Sequence, residues 1–156
     1  MTDTAKPPRI YVSPPTIFLL ALLGGYALRA VFGAWLPIPR VYLEGIGVVL
    51  LSMAAWLFVS AITVFAEHGE ALNPSTEAYT LFHSGPYRLS RNPIYLAMML
   101  FGAGFAFASG NLWALLTTGL AGLVLHFFVI LPEERYLSAK FGIEYTDYTR
   151  RTRRWI

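Results

Sequence analysis

The chain has 156 residues, of which 56% are hydrophobic and 13% are charged, whereas an ordinary soluble domain is about one-quarter charged. It contains no cysteine, which excludes a disulfide framework, a thiolate metal site and a cysteine nucleophile. Its net charge of +3 comes from Lys and Arg residues beside apolar runs, so we expect membrane lipid as the partner of that charge and no nucleic acid. The length predicts a single domain over residues 1–156.

Four apolar runs predict an all-α integral membrane bundle. A helix that crosses a bilayer needs about 20 apolar residues, and the runs cover residues 16–36, 42–65, 94–108 and 112–131, the third being short. They are longer than strands and lack the alternation of a strand. The sequence Ser109-Gly110-Asn111 between the last two runs predicts a tight turn, and therefore an antiparallel helical hairpin.

The first two runs carry isolated charges and paired glycines. We expect Arg29 and Glu44 to form an ion pair, or to reach toward the membrane surface, and so to tie the two helices together. The small-residue pairs predict close approach of helices. They are Gly24-Gly25, Gly45-x-Gly47 and Gly102-x-Gly104.

The distribution of basic residues predicts the orientation. Four spans place the N-terminus, a polar connector of residues 66–92 and the C-terminal tail on one side, which carries ten of the twelve Lys and Arg residues. The positive-inside rule makes this side cytoplasmic. The connections on the other side are too short to hold a site. We therefore expect both the active site and the two termini at the cytoplasmic face.

The connector contains two turn signals. Gly85-Pro86 predicts a turn, and Asn92-Pro93 predicts a helix start, with Asn as N-cap and Pro at the first helical position. A helix start that faces the cytosol can bind a carboxylate or phosphate. The alternative is that the pair only begins a helix, while Arg91 meets lipid phosphate.

Two acids and a histidine lie at the end of the fourth run. Glu133 and Glu134 follow Pro132 and are either solvated residues that mark the helix end or parts of a site. If Pro132 does not break the helix, helical spacing places His126 on the same face as one of these carboxylates. His126 is a functional candidate because it is ionisable within a span, although it could also be a hydrogen-bonded packing residue. The histidines show no zinc-site spacing, so we expect no metal.

The C-terminal tail is amphipathic and basic. Aromatic residues between Phe141 and Tyr148 precede a cluster of arginines at 150–154. The tail could lie on anionic lipid, or it could fold over a site as a lid.

Five elements of the sequence, in order and spacing, resemble the isoprenylcysteine carboxyl methyltransferase and phospholipid methyltransferase group. They are residues 69–74, residues 81–87, Arg91-Asn92-Pro93-x-Tyr95, Glu133-Glu134, and Phe141-Gly142-x-Glu144-Tyr145-x-x-Tyr148. The resemblance covers roughly residues 66–155. It implies an integral membrane enzyme that uses S-adenosylmethionine.

The resemblance also implies where this cofactor binds. In that group the pocket is formed by the connector, the start of the next helix and the acidic pair. Carried over by motif, the residues that would bind the cofactor are Tyr79, Thr80, Leu81, Phe82, Tyr87, Asn92, Pro93, Ile94, Tyr95, Glu133 and Glu134. Carboxylates and aromatic rings suit the cationic sulfonium and ammonium groups of the cofactor.

The acceptor stays open at this stage. Carboxyl methyltransferases usually have His where this chain has Asn92, so this position resembles the phospholipid amine branch, in which Asn-Pro is often found. The C-terminal tail, by contrast, is more similar to the carboxyl branch. The prediction is therefore methyl transfer to a lipophilic acceptor, either an isoprenylcysteine-type carboxylate or a phospholipid amine. For an amine, His126 or Glu133 is the candidate base. The alternatives are a membrane reductase that uses a nicotinamide cofactor and a non-catalytic small membrane protein. No pattern indicates the oligomeric state.

Overall fold

The computed structural model describes residues 6–69 and 75–156, and all regular structure in these ranges is helical. The helices are α1 (Pro14–Phe32), α2 (Arg40–His68), α3 (Pro93–Ala108), α4 (Leu112–Leu125), α5 (Leu131–Phe141) and α6 (Ile143–Arg151). A 3₁₀ turn occupies Gly85–Arg88, and a π-helical turn at His126–Ile130 joins α4 to α5. The all-α prediction is therefore confirmed.

Among the described residues, three helical segments are long and apolar enough to cross a membrane. They are Pro14–Phe32, Arg40–His68 and the continuous segment Leu112–Phe141 formed by α4, the π turn and α5. The remaining apolar helix, α3, has 16 residues. The chain thus has the make-up of an integral membrane protein, and the four-span count stays a prediction.

The α3–α4 hairpin lies between the other two long helices. α2 packs chiefly against α3, and α1 packs chiefly against α4. The turn of the hairpin contains Gly110 with φ +61°, and the side chain of Asn111 caps α4 by accepting a hydrogen bond from the backbone N–H of Ala114 at 3.1 Å. The turn predicted at Ser109–Asn111 is therefore present.

Small residues allow this close packing at some of the predicted positions. A Cβ atom at Gly47 would lie 2.7 Å from the backbone nitrogen of Ala108, and one at Gly25 would lie 2.5 Å from the Cα of Ala114. Cβ atoms at Gly24 and Gly45 would meet no heavy atom of the described residues within 4 Å. One glycine of each of these pairs thus lies at a helix contact.

The expected ion pair between Arg29 and Glu44 does not form. Glu44 pairs with Arg40 one helical turn away at 2.6 Å. The guanidinium of Arg29 lies over the ring of Trp35, 3.6 Å from its centroid, and donates to the carbonyl of Ser109 at 2.8 Å. The prediction was wrong because α1 packs against α4 and α3 rather than α2. Arg29 therefore ties α1 to the hairpin.

Candidate functional site

A cavity of about 750 Å³ opens at one end of the bundle. We call this the connector end, because the connector meets the starts of α1 and α3 and the end of α2 there. The cavity has a size typical of small-molecule sites, about 300–1,000 Å³. It is lined by Ile10, Tyr11, Ser13, Pro14, Pro15, Phe58, Ile62, Phe65, Ser75, Thr76, Glu77, Ala78, Thr80, Leu81, Phe82, Tyr87, Arg91, Asn92, Pro93, Ile94, Tyr95, Met98, Glu133, Tyr136, Leu137, Tyr145 and Tyr148.

One side of the cavity is apolar and runs into the bundle. Its deepest residue on α2 is Phe58, ten residues before the helix ends at His68. At 1.5 Å per residue, that is a depth of about 15 Å. Ile62 and Phe65 continue the apolar wall toward the connector, with Ile94 and Met98 of α3 also in the lining. The cavity therefore has an apolar end, and a polar end formed by the connector, α5 and α6.

Aromatic packing anchors the connector to α2. Phe82 and Tyr87 are buried with Ala61 and Val64 in one cluster, and the ring centroids of Phe65 and Phe82 are 4.7 Å apart. This packing follows from the apolar residues at the end of α2, which would otherwise be uncovered. It places the connector across the mouth of the cavity.

The start of α3 is held by the last residues of the chain. The helix begins at Pro93 with Asn92 as N-cap, as predicted, but the Asn92 side chain makes no capping bond. Its Nδ2 instead donates to the carbonyl of Arg154 at 3.0 Å. The hydroxyl of Ser90 donates to the same carbonyl at 3.2 Å, and the backbone N–H of Arg91 donates to the carbonyl of Arg153 at 3.0 Å. We call residues 152–155, of which Arg153 and Arg154 make these contacts, the C-terminal clasp.

Glu133 enters the cavity because the fourth apolar helix does not end at Pro132. Pro132 lies in the first turn of α5, directly after the π turn, where an irregular hydrogen-bond pattern accommodates its missing N–H. The hydroxyl of Tyr95 donates to Glu133 Oε2 at 3.0 Å. This bond joins α3 to α5 across the polar end of the cavity.

Glu134 lies on a different face of α5. Successive helical residues point about 100° apart, so the two glutamates do not share one environment. Arg154 donates to both carboxylate oxygens of Glu134, at 3.0 Å from Nε and 2.7 Å from Nη2. Arg91 Nη2 lies 3.3 Å from Oε1 of the same carboxylate. Glu134 is therefore an ion-pair centre beside the cavity.

Most of the predicted cofactor residues meet in this cavity. Those that line it are Thr80, Leu81, Phe82, Tyr87, Asn92, Pro93, Ile94, Tyr95 and Glu133. Tyr79 and Glu134 lie outside the lining, and Tyr79 is 75% exposed, with Lys140 Nζ 5.3 Å from its ring centroid. Of the motif at 69–74, residues 70–74 lie outside the described residues.

His126 also lies outside the cavity. Its ring stacks on Trp155 of the C-terminal clasp, with centroids 6.3 Å apart, and packs edge-on against Phe127. Its Nδ1 is buried and has no hydrogen-bond partner among the described residues. The π turn that begins at His126 lies between this histidine and the two acids, and only Glu133 of the three lines the cavity. The histidine packs against the clasp rather than facing the polar end.

Sequence reasoning missed several lining residues. Tyr145 and Tyr148 are one helical turn apart on α6, a spacing that favours a shared face, and the Tyr148 hydroxyl donates to the carbonyl of Tyr87 at 2.7 Å. Tyr136 lines the cavity and accepts a hydrogen bond from the backbone N–H of Ala78 at 3.1 Å. The residues at 10–15 carry no motif, and no sequence signal could have placed them here. α6 thus contributes Tyr145 and Tyr148 to the cavity lining.

The tyrosines of the site keep their hydroxyl protons at neutral pH and can therefore donate hydrogen bonds. Burial, followed by the nearby carboxylate of Glu133, raises the pKa of Tyr87 well above its ordinary value. Burial also raises the pKa of Tyr148, against the opposing effect of Arg91. Among residues 6–69 and 75–156, no group of three His, Asp or Glu side chains is arranged to hold a metal ion. The polar end therefore offers carboxylate, guanidinium and phenol groups.

The sequence matches the model of a known protein family. The family model for phospholipid methyltransferase matches residues 43–144, which is more than half of the chain. The chain belongs to the phospholipid methyltransferase family. The match includes the connector, α3 and both glutamates, whereas residues 10–15, Tyr148 and the C-terminal clasp lie outside it.

Individual relatives of this family member are distant. It is 30% identical over 148 residues to methanethiol S-methyltransferase 2 of Bradyrhizobium diazoefficiens, covering 83% of this chain and 55% of that protein. It is 36% identical over 73 residues to the cobalt-zinc-cadmium resistance protein CzcN of Cupriavidus metallidurans, covering 47% of this chain and 33% of that protein. An uncharacterised protein of Haemophilus influenzae is 38% identical over 63 residues, which is 40% of this chain and all of that protein. No solved structure gives a significant match.

Proposed function

We propose that this member of the phospholipid methyltransferase family is a methyltransferase that binds S-adenosylmethionine in the cavity at the connector end and acts on a lipophilic acceptor. The observation that carries the proposal is the two-sided cavity: Glu133 and tyrosines at one end, and an apolar wall reaching Phe58 at the other. The family match supplies the reaction class, and the residues present fit the groups that the reaction requires.

The polar end suits the methyl donor. Its sulfonium and ammonium groups are cations, for which the Glu133 carboxylate and the faces of Tyr87 and Tyr145 are favourable partners. Residues 80–82 and 92–95 would bind the nucleoside part, as the family resemblance implies. When bound, the donor supplies an activated methyl group.

The protein's task in such a reaction is positioning. Methyl transfer between a bound donor and acceptor requires that the nucleophile and the methyl carbon be held in line, with water excluded. α6 covers the cavity through Tyr145 and Tyr148, both buried, and the connector covers it through Phe82. Both elements would therefore shield the reacting groups from bulk water.

The chemistry of the acceptor decides whether a base is needed. A carboxylate or a thiolate attacks without losing a proton, whereas a protonated amine must lose one. Glu133 lines the cavity and is the candidate base for an amine, while His126, outside the lining, is the weaker candidate. The relative named for methanethiol S-methylation adds a thiol to the carboxylate and amine acceptors predicted from the sequence.

We propose that the connector end faces the cytoplasm, because it carries most of the basic residues. In that orientation α3 is a fourth span, and an acceptor dissolved in the bilayer would reach the cavity along the apolar wall at Phe58 and Ile62. This arrangement brings a lipophilic acceptor and a water-soluble donor together at the membrane surface.

Calorimetric titration of the purified protein in detergent tests the proposal. We expect S-adenosylmethionine and S-adenosylhomocysteine to bind, and NADPH not to bind. Glu133→Gln should weaken binding of the cationic donor about tenfold more than binding of the neutral-sulfur product, a difference of about 1.4 kcal/mol. Glu144→Gln is the matched control, because Glu144 is exposed and contacts His83 at 3.3 Å.

The acceptor is identified by incubating the protein with methyl-labelled donor and a whole lipid extract that also contains a small thiol. The labelled product then distinguishes an ester, a methylated amine and a thioether. Absence of donor binding, or binding of NADPH in its place, would overturn the proposed function.

A further inference from the structure

Arg91 is a buried cation with an unused donor. Its side chain is 13% exposed and lines the cavity, although the motif-based assignment did not include it. One nitrogen, Nη2, faces Glu134, but the buried Nε has no hydrogen-bond partner among the described residues. A buried polar group without a partner is costly, and such groups mark places where a ligand can bind.

Arg91 is also held from two directions. Its backbone N–H donates to the carbonyl of Arg153 in the C-terminal clasp, and its guanidinium faces the Glu134 carboxylate. That carboxylate is in turn held by the two-pronged contact with Arg154. The clasp and Glu134 together restrict where the Arg91 side chain can point.

The charges that line the cavity have both signs. Glu77 is neutralised by Lys140, whose Nζ lies 2.7 Å from it. Glu133 and Arg91 remain as a carboxyl group and a cation that a ligand can contact. Tyr145 lies close to Arg91 and both glutamates: burial raises its pKa, Glu134 and Glu133 add to that effect, and Arg91 opposes it. The polar end therefore suits a zwitterionic group.

We infer that Arg91 binds the carboxylate of the methyl donor's amino-acid part, and that Glu134 and Arg154 are positioning residues that hold its guanidinium in place. This inference rests on the proposed function. It assigns opposite tasks to adjacent acids: Glu133 faces the cationic part of the donor, whereas Glu134 acts on the donor only through Arg91.

Comparing two ligands tests the inference without measuring turnover. S-adenosylhomocysteine carries the amino-acid part, and methylthioadenosine has the same nucleoside without it. Arg91→Gln should weaken S-adenosylhomocysteine binding about tenfold or more, the loss expected for a hydrogen bond between charged groups, and should leave methylthioadenosine binding unchanged. Glu134→Gln and Arg154→Gln should shift the ratio of the two affinities in the same direction by a smaller factor.

Arg153→Gln is the matched control for Arg154→Gln. Arg153 is exposed and contributes its backbone carbonyl to the clasp, so its substitution should change neither affinity. The double variant Glu134→Gln/Arg154→Gln should lose no more than the larger single effect, because the two side chains act as one unit. Arg91→Lys keeps the positive charge but lacks the planar set of guanidinium donors. It replaces Arg91→Gln in the comparison if that variant does not fold.

Equal weakening of both ligands in the Arg91, Glu134 and Arg154 variants would show a structural role alone and would overturn the inference. An unchanged S-adenosylhomocysteine affinity, with a raised KM for the acceptor, would overturn it in favour of an anion on the acceptor. If the unmodified protein binds neither ligand, the proposed function fails and the inference fails with it.

Discussion

The contact between α2 and α3 can be tested with two glycines of the same helix. Gly47 is buried against α3, where a Cβ atom would lie 2.7 Å from the nitrogen and 2.8 Å from the Cα of Ala108. Gly45, two residues earlier, is exposed, and a Cβ there would meet no described heavy atom within 4 Å. Alanine at both positions therefore separates helix propensity from packing.

Both substitutions remove a flexible glycine from a helix, which stabilises it by about 1 kcal/mol. Gly47→Ala additionally pushes a methyl group into backbone atoms, which cannot rotate aside as a side chain can. Overpacking of this kind costs about 1–3 kcal/mol. We therefore expect the free energy of unfolding to be about 1–3 kcal/mol lower for Gly47→Ala than for Gly45→Ala.

Unfolding in mixed micelles titrated with a denaturing detergent measures this difference, with helicity as the signal. Binding of S-adenosylhomocysteine should change little in Gly47→Ala, because Ala108 lies at the opposite end of α3 from the lining residues Tyr95 and Met98. Equal stabilisation by the two alanines would refute the close approach of α2 to α3. It would also remove the support for the apolar wall of the cavity that these two helices form.

Three further outcomes follow from the contacts described. Tyr95→Phe removes the 3.0 Å hydrogen bond to Glu133 and should lower the free energy of unfolding by about 1.5–3 kcal/mol in the same titration. Arg29→Gln removes the 2.8 Å hydrogen bond to the carbonyl of Ser109 at the end of α3. This substitution should lower Tm but leave S-adenosylhomocysteine affinity unchanged, since Arg29 lies at the opposite end of the bundle from the cavity. Burial raises the pKa of Tyr145 and Tyr148, so their contribution to stability is complete below pH about 10, the ordinary tyrosine value, and is lost as pH rises beyond it. Tm should therefore be flat to about that pH and then fall, less steeply in Tyr148→Phe; an unchanged slope would contradict the burial of this phenol.

The parts of the fold that the sequence predicted are those with local causes. The hairpin turn requires a residue with positive φ, and Gly110 provides it at φ +61°. The start of α3 is specified by Asn92 and Pro93, whose backbone preferences suit the first turn of a helix. The all-helical class follows from long apolar runs, which need no knowledge of contacts.

The parts that could not be predicted depend on contacts between distant segments. Which of Glu133 and Glu134 faces the cavity depends on the π turn, which has no reliable sequence signal. The partner of Arg29 depends on the order in which the helices pack. The unexpected use of the Asn92 side chain depends on Arg154, 62 residues away. Most of the residues that the resemblance assigned to the cofactor do line the cavity, but Arg91 was not assigned, and its position became apparent only from its contacts.

The π turn at His126–Ile130 has a consequence for the geometry of residues 131–156, which follow it. A π turn holds one residue more than the α-helical pattern requires, and one residue corresponds to a rotation of about 100°. Deleting one residue there would restore a regular helix and turn the residues after it, so that Glu133 would leave the cavity and Glu134 would lose its contact with Arg91. The angular phase of the fourth helix, set by a single surplus residue, thus selects which of two neighbouring acids faces the cavity.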